Sequence, residues 1–492
     1  MNKLSVLMSA ACASAALGAA EIQEVIVRQQ WPWSTDVKVE YRITGITAPV
    51  DVKAKFFDGA TELTVSNPIE AISGERYGVS QSVGAFTVDP IKAFGTAKPA
   101  MGDFRVELTL EESAPNINEV LYKIYDLDDG SCTDVTRKEI LEGKYGAYET
   151  VYSNLGEGFS TGLPESDVLI WTGVTNNPAY ATTKIVLRKI PGKGSQSWLM
   201  GSPETEGGRI THADDKGTDN MELQHQVTMK KDYFIGVFEI TQAQYAKVIN
   251  GHTSSDYAIT TDWPSYFSEA TTRATRPVEK VGYNMIRGLM AGEGGKWPSN
   301  HSVDNGTFLG QLRAKLAGSP CLDLPTEAQW EFACRAGTTT SLYSGKDLIN
   351  AGWEGDENLK VLGCTKRSGG YIGNESTQPA PAPDTPAGVG GTAKVGSYLP
   401  NAYGLYDMLG NVSEWCLDFF EEYAADAVEE PAGPERLNGN WKRVVRGGNW
   451  SNKCRYCRSA SRGDFSAKAP CPTYGETSGG YYGFRLCLTV ED

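Results

Sequence analysis

From Val37 onward apolar and polar residues alternate one for one in three runs. Val37, Val39, Tyr41 and Ile43 stand against Lys38, Glu40 and Arg42; Val52, Ala54 and Phe56 against Asp51, Lys53 and Lys55; Phe104, Val106, Leu108 and Leu110 against Arg105, Glu107 and Thr109. A period of two places every second side chain on one face of a strand, whereas a helix would scatter the same residues around its circumference. Each run is therefore a strand with one buried face, and their separation by Gly, Pro, Asn and Asp turns predicts an antiparallel β-sandwich over residues 21–125. Residues 126–182 lose this periodicity and are rich in Gly, Ser, Thr and Asn, which reads as a connecting region with a few strands. Its acidic run Asp126 to Asp134 places its glycine too early for a calcium loop of the EF-hand kind and reads as a solvated turn. A strand at Ile185 to Ile190 opens a second domain, 183–492.

A chain of 492 residues is too long for one typical domain, in keeping with this division. Its formal net charge of −15 argues against a nucleic-acid partner, because no basic run offsets the repulsion of a phosphate backbone. The N-terminus has one lysine, a short apolar stretch and then small residues ending at Gly18-Ala19-Ala20, the pattern of a signal peptide, 1–20, cleaved after Ala20. The competing reading, a lipid-modified Cys12, is weakened by Ser9 and by the shortness of the apolar stretch before it. A secreted or periplasmic protein without a membrane span is expected, since no later stretch reaches the ~18 apolar residues that crossing requires. Ten cysteines less Cys12 leave nine, an odd number, so at least one thiol is free or pairs with another molecule.

The second domain carries a series of short motifs. It begins WLMGSP at Trp198, followed by YFIGVFEITQAQYAKVI, where a strand Phe234 to Ile240 hands over to a helix capped by Thr241 and Gln244. LPTEAQWEFACRAG repeats the capping arrangement with Thr326 and Gln329, with Gly337 suited to the helix C-cap. RPVEKVGYN lies between them; PNAYGLYDMLGNVSEWCLDFF, RVVRGGNW and GGYYGFRLCL follow. In this order the motifs resemble the formylglycine-generating enzyme, or sulfatase-modifying factor, superfamily from about residue 183 to the end. The resemblance implies a C-type-lectin-like α+β fold of low regular secondary structure, and the whole chain is then α+β: an antiparallel sandwich followed by this domain.

The resemblance also implies sites. In the family the GNxxEW segment builds a calcium site, whose ligands here would be the side chains of Asp407 and Glu414 and the carbonyls of Gly410 and Val412, a hard-oxygen shell. The alternative is that Asp407 and Glu414 hold the loop through hydrogen bonds. The family's oxidases hold copper(I) with two cysteines separated by four intervening residues shortly after RGG, soft ligands for a soft ion. Counting from Gly448, those positions fall on Asn452 and Cys457, while Cys454 is displaced and forms a C-x2-C pair with Cys457. Cys454 and Cys457 are the candidate catalytic pair, with a disulfide or plain packing as competing roles. CRSASR resembles the non-oxidase majority, in which Arg458, Ser459 and Arg462 belong to the scaffold. The iron-dependent branch requires a histidine pattern that His212, His225, His252 and His301 do not supply. A third reading is a display surface: Asn452, Tyr456, Asp464, Tyr474, Tyr481 and Tyr482, with neighbouring Ser and Gly, have the composition of adaptable binding loops. The residues thus favour a ligand-binding or accessory protein acting on an exported protein or surface ligand, with a copper-dependent formylglycine-generating oxidase as the alternative.

Overall fold

The computed structural model describes residues 20–30, 34–66, 68–95, 103–195, 197–210, 221–249, 265, 272–288, 302–316, 322–352, 355–366, 368, 391–433, 442–466 and 480–490. The expected signal peptide up to Ala19, Tyr474, Cys321, Cys471 and the histidines other than His225 lie outside these residues.

The chain divides into two compact units. The first holds seven strands: β1 (Glu21–Gln29), β2 (Val37–Thr44), β3 (Val50–Asp58), β4 (Thr61–Leu63), β5 (Ile72–Gly74), β6 (Val83–Val88) and β7 (Phe104–Glu112). They form two antiparallel sheets, β1-β2-β6-β5 and β4-β3-β7. The alternation delivers what its period demands, since Val37, Val39, Tyr41 and Ile43 of β2 are all buried while Arg42 and Thr44 are exposed. Val52 and Phe56 of β3 and Val106 and Leu108 of β7 join them in one core, with Phe56 stacked on Phe104 at 6.1 Å between ring centres.

The sandwich strands end at Glu112, and residues 126–182 contribute to both units. β8 (Val120–Asp126), β9 (Cys132–Thr136) and β10 (Lys184–Ile190) enter a six-stranded sheet of the second unit, order β14-β20-β13-β10-β8-β9, with β13 at Tyr233–Gly236, β14 at Leu322–Asp323 and β20 at Cys487–Thr489. The acidic run is the turn between β8 and β9: Gly130 N donates to Asp126 O at 2.9 Å and Asp128 N to the Asp126 carboxylate at 2.8 Å. Two smaller sheets complete the unit, β11 (Trp198–Met200) with β12 (His225–Thr228) and β16 (Val428–Glu429), and β18 (Arg462–Ser466), β17 (Lys442–Arg446), β15 (Ser413–Phe419) and β19 (Tyr482–Gly483).

The first expected helix, α1 (Gln242–Ile249), starts after Thr241, whose hydroxyl accepts from Gln244 N at 3.2 Å while the Gln244 carbonyl oxygen accepts from Thr241 N. The strand before it is shorter than expected, ending at Gly236, because Val237–Ile240 turn their backbone to other partners: Val237 N donates to Val186 O and Ile240 N to Phe484 O. After α2 (Phe308–Lys315), α3 (Glu327–Arg335) has the full capping box of Thr326 and Gln329. Its C-cap is Ala336 in the left-handed region (φ 45°), one residue before the expected Gly337, which is left-handed as well (φ 86°).

Long irregular segments leave carbonyls that no sheet or helix satisfies, and in this unit buried arginines take them up. Arg446 donates to Ala460 O and Ser461 O, and Arg485 to Gly236 O and Tyr406 O, while each guanidinium also meets a buried carboxylate, Glu331 and Glu414 respectively. The molecule is thus α+β, and no helix among the described residues is long and apolar enough to cross a membrane.

Candidate functional site

The loop between Asp407 and Glu414 is held by backbone that only special residues adopt. Asp407 and Asn411 lie at φ 56° and 57°, and a Cβ on Gly410 would sit 2.3 Å from Cys364 O. Asn411 anchors the loop: its side chain donates to Glu239 at 2.6 Å and accepts from Ala393 N at 2.8 Å, and Val412 N donates to the other Glu239 oxygen. Glu414 receives the Arg485 fork, 2.6 Å to each oxygen, and also the Trp330 indole at 2.7 Å.

Asp407 is different. One oxygen accepts from Gly396 N at 2.6 Å; the other is buried with no hydrogen-bond partner. Burial pushes its carboxyl up to about 7, and the same cause, reinforced by Asp407 and Glu414, raises Glu239 well above the carboxylate range. The locality therefore combines an orphaned carboxylate oxygen with more buried acid than Arg485 offsets. That is the electrostatic demand a cation meets, and it fits Asp407 as a ligand. Glu414 would have to share with a cation oxygens that already accept from Arg485 and Trp330. Among the described residues no three or more His, Cys, Asp or Glu side chains converge as metal ligands, though a shell of two carboxylates and two carbonyls is not such a set.

The cysteine pair lies on the turn that follows RGG. Cys454 opens a 3-10 turn, Cys454–Tyr456, and Cys457 N donates back to Cys454 O at 2.9 Å. Both thiols are free and buried, and burial drives Cys454 up to about 11 and Cys457 well above the usual thiol range. Gly448, at φ 69°, is required here because a Cβ would fall 2.6 Å from the Cys457 sulfur. Asn452, at the position of the first family cysteine, closes its own turn: its side chain accepts from Asn449 N at 3.0 Å and its N–H donates to Asn449 O at 2.9 Å. Arg458 and Arg462 are scaffold, forked onto Glu222 and Glu327.

Of the display residues, the structure brings Tyr481 and Tyr482 together with two tryptophans. Tyr481 stacks on Trp450 at 5.5 Å and Tyr482 packs on Trp415 at 5.7 Å, both tyrosines half-buried. Tyr456 is half-buried in the cysteine turn, and Asp464 lies on β18 opposite Val444. Trp415, Trp450, Glu239 and Arg485 were not singled out from the sequence, although all four stand within the quoted motifs. Their roles depend on partners far along the chain, such as the 172-residue separation between Glu239 and Asn411.

Residues 200–488 match the family model described as a sulfatase-modifying factor enzyme 1-like domain. The chain is 32% identical over 178 residues to a formylglycine-generating enzyme of Streptomyces coelicolor, covering 34% of this chain and 47% of that protein. It is 32% identical over 135 residues to the formylglycine-generating enzyme of Mus musculus, covering 27% and 32%. The chain thus spans less than half the length of these curated relatives. Among solved structures, Treponema denticola variable protein 1 aligns with a TM-score of 0.40 at 21% identity, over 63% of this chain and 96% of that one. Since the family model covers more than half of its length, the chain belongs to the sulfatase-modifying factor enzyme 1-like family.

Proposed function

We propose that this is an exported ligand-binding or accessory member of the family that does not carry out copper-dependent oxidation. The observation that carries this reading is the burial of the free Cys454 and Cys457 thiols under the RGG turn, with Asn452 closing a turn where the oxidases place their first cysteine. A copper(I) site needs two thiolates that the metal and a substrate thiol can both reach. Burial of both sulfurs works against each requirement.

The binding surface in this reading is the segment 451–482. The half-buried pair Tyr481 and Tyr482, backed by Trp450 and Trp415, supports it, because aromatic rings held by packing offer contact area with little ordering cost. The loop of Asp407, Gly410, Val412 and Glu414 holds calcium in a structural role, supported by the orphaned Asp407 oxygen. The partner is an exported protein or a surface ligand, and export rests on the leader-like residues 1–20.

The oxidase remains the second reading, favoured by the 32% identity to formylglycine-generating enzymes. One experiment separates the two. Purified reduced protein is incubated with copper(I), oxygen and a peptide carrying a sulfatase cysteine motif, and the peptide mass is followed. An unconverted cysteine is expected; formylglycine that disappears in Cys457→Ser would establish the oxidase instead.

A further inference from the structure

The second unit contains a cavity of about 410 Å3 between the start of α3, the end of β15 and the segment that follows it. Its apolar wall includes Met200, Ala328, Phe419 and Val428. Its polar wall is unbalanced in charge. Asp418, Glu327, Glu421 and Glu422 line it, with Arg462 as the cation beside them. That guanidinium is already committed: it forks onto Glu327 at 2.6 and 2.7 Å and donates to Met221 O and Glu421 O. Glu327 is thereby neutralised, whereas Asp418 is not.

Asp418 is buried, and one of its oxygens accepts from Glu327 N at 2.7 Å, capping α3 together with Thr326. Among the described residues no cation forms an ion pair with it, Arg462 and Arg443 acting on it only at longer range, and burial followed by the nearby Glu327 charge pushes its carboxyl up to about 7. The second unusual group is His225, 7% exposed and lining the same cavity, with its ring 4.6 Å from that of Tyr423. Its Nδ1 lies 3.0 Å from Leu223 O. A carbonyl only accepts, so Nδ1 carries the proton, and in the neutral ring Nε2 is left as an acceptor with no protein donor. A nearly buried histidine with an unused lone pair and a buried carboxylate without a counter-ion both line one cavity, and exposed Glu421 and Glu422 border it.

An anionic ligand would be repelled by these acids, and a purely apolar one would leave two buried acceptors unpaired. An ammonium group supplies both the missing charge and the missing donors, since it has three N–H groups and accepts nothing. We propose that this cavity binds a primary alkylammonium group, received by Asp418 and His225, with its stem against Ala328, Met200 and Phe419. The occupant is either a small free amine or the lysine side chain of another polypeptide; the recognition chemistry is the same. The site is independent of the cysteine turn and of the surface proposed above, so its failure would leave those readings untouched.

The test is calorimetric titration of the full chain with n-pentylamine, with n-pentanol as the uncharged isostere and Nα-acetyl-lysine methylamide as the lysine mimic. Pentylamine is expected to bind and pentanol not. Asp418→Asn, which keeps an oxygen to cap α3 but removes the charge, should weaken pentylamine about tenfold or more, as loss of a charge-assisted hydrogen bond does. Glu421→Gln with Glu422→Gln, both exposed and harmless to folding, should weaken it about two- to threefold through the lost local field and decides the matter if Asp418→Asn misfolds. Binding of the lysine mimic as well assigns a polypeptide side chain; binding of pentylamine alone assigns a free amine. Equal heats from pentylamine and pentanol, no binding of either, or pentylamine binding unchanged in the folded variants would overturn the proposal.

Discussion

The two units solve the same problem, filling an interior without stranding polar groups, by opposite means. In the sandwich the ion pairs lie outside, Arg76 being a buried exception: Lys55 and Glu62 pair at 3.3 Å with side chains 61% and 54% exposed, while the core is aliphatic and aromatic. In the second unit the charges go inside. Arg485 and Glu414 meet with side chains 0% and 1% exposed, and Arg446, Arg458 and Arg462 repeat the arrangement. The difference follows from backbone. Paired strands satisfy their own N–H and C=O groups, so their side chains are free to be apolar; irregular segments need side-chain donors, and a guanidinium with five N–H groups can serve carbonyls and a carboxylate at once. An element that is irregular must therefore import ionic partners into its core.

The sharpest way to break this contrast is Arg485→Met. It removes the partner of Glu414 and the donors to Gly236 O and Tyr406 O, leaving a buried charge uncompensated at a cost of about 3–5 kcal/mol. Hydrogen exchange should show protection lost in β13, β15 and β20 and kept in β2, β3 and β7. Equal loss in both sets would show that the two units unfold as one.

A smaller effect is expected from calcium and pH together. Asp407 titrates near 7 in the folded protein against an ordinary value of 3.8, so the folded state holds a proton that the unfolded state has released. Without a cation, the contribution of Asp407 to stability is therefore highest at low pH and falls as pH rises from about 4 through 7. Asp418, also about 7, adds the same sign. Calcium bound only to the folded form would offset part of that fall, by about 2.7 kcal/mol at a hundredfold excess over its dissociation constant. Melting temperatures followed across this pH range with calcium and with chelator should diverge above pH 7 and converge near pH 4. Asp407→Asn should abolish the divergence while leaving the Asp418 slope. Identical curves with calcium and chelator in the parent protein would reduce the loop to a hydrogen-bonded scaffold.

The smallest effect belongs to the sandwich surface. Lys55→Ala should change stability by less than about 1 kcal/mol, since a solvent-exposed pair gains little. A larger loss on thermal unfolding would mean that surface ion pairs carry the sandwich as buried ones carry the second unit.

How much of this was legible depended on the range of the interactions. The strands β2, β3 and β7 and the capping boxes of α1 and α3 are written within a few residues, so their positions follow from the sequence with errors only at the ends, as at Gly236 and Ala336. The ordered motifs from Trp198 to Leu488 carried the family in the same way. At the candidate site the residues Asp407, Glu414, Cys454 and Cys457 could be named, but not their state.

What the sequence alone determined was periodicity, capping and family; the tertiary structure decided partners and exposure. Glu414 meets Arg485 across 71 residues, Trp330 meets Glu414 across 84, and Arg458 meets Glu222 across 236. Nothing local distinguishes a carboxylate that will be forked by arginine from one, like Asp407, left with a bare buried oxygen. Desolvation arises only when remote segments close over a group, which is why the raised thiols of Cys454 and Cys457 and the raised carboxyl of Asp418 are properties of the fold.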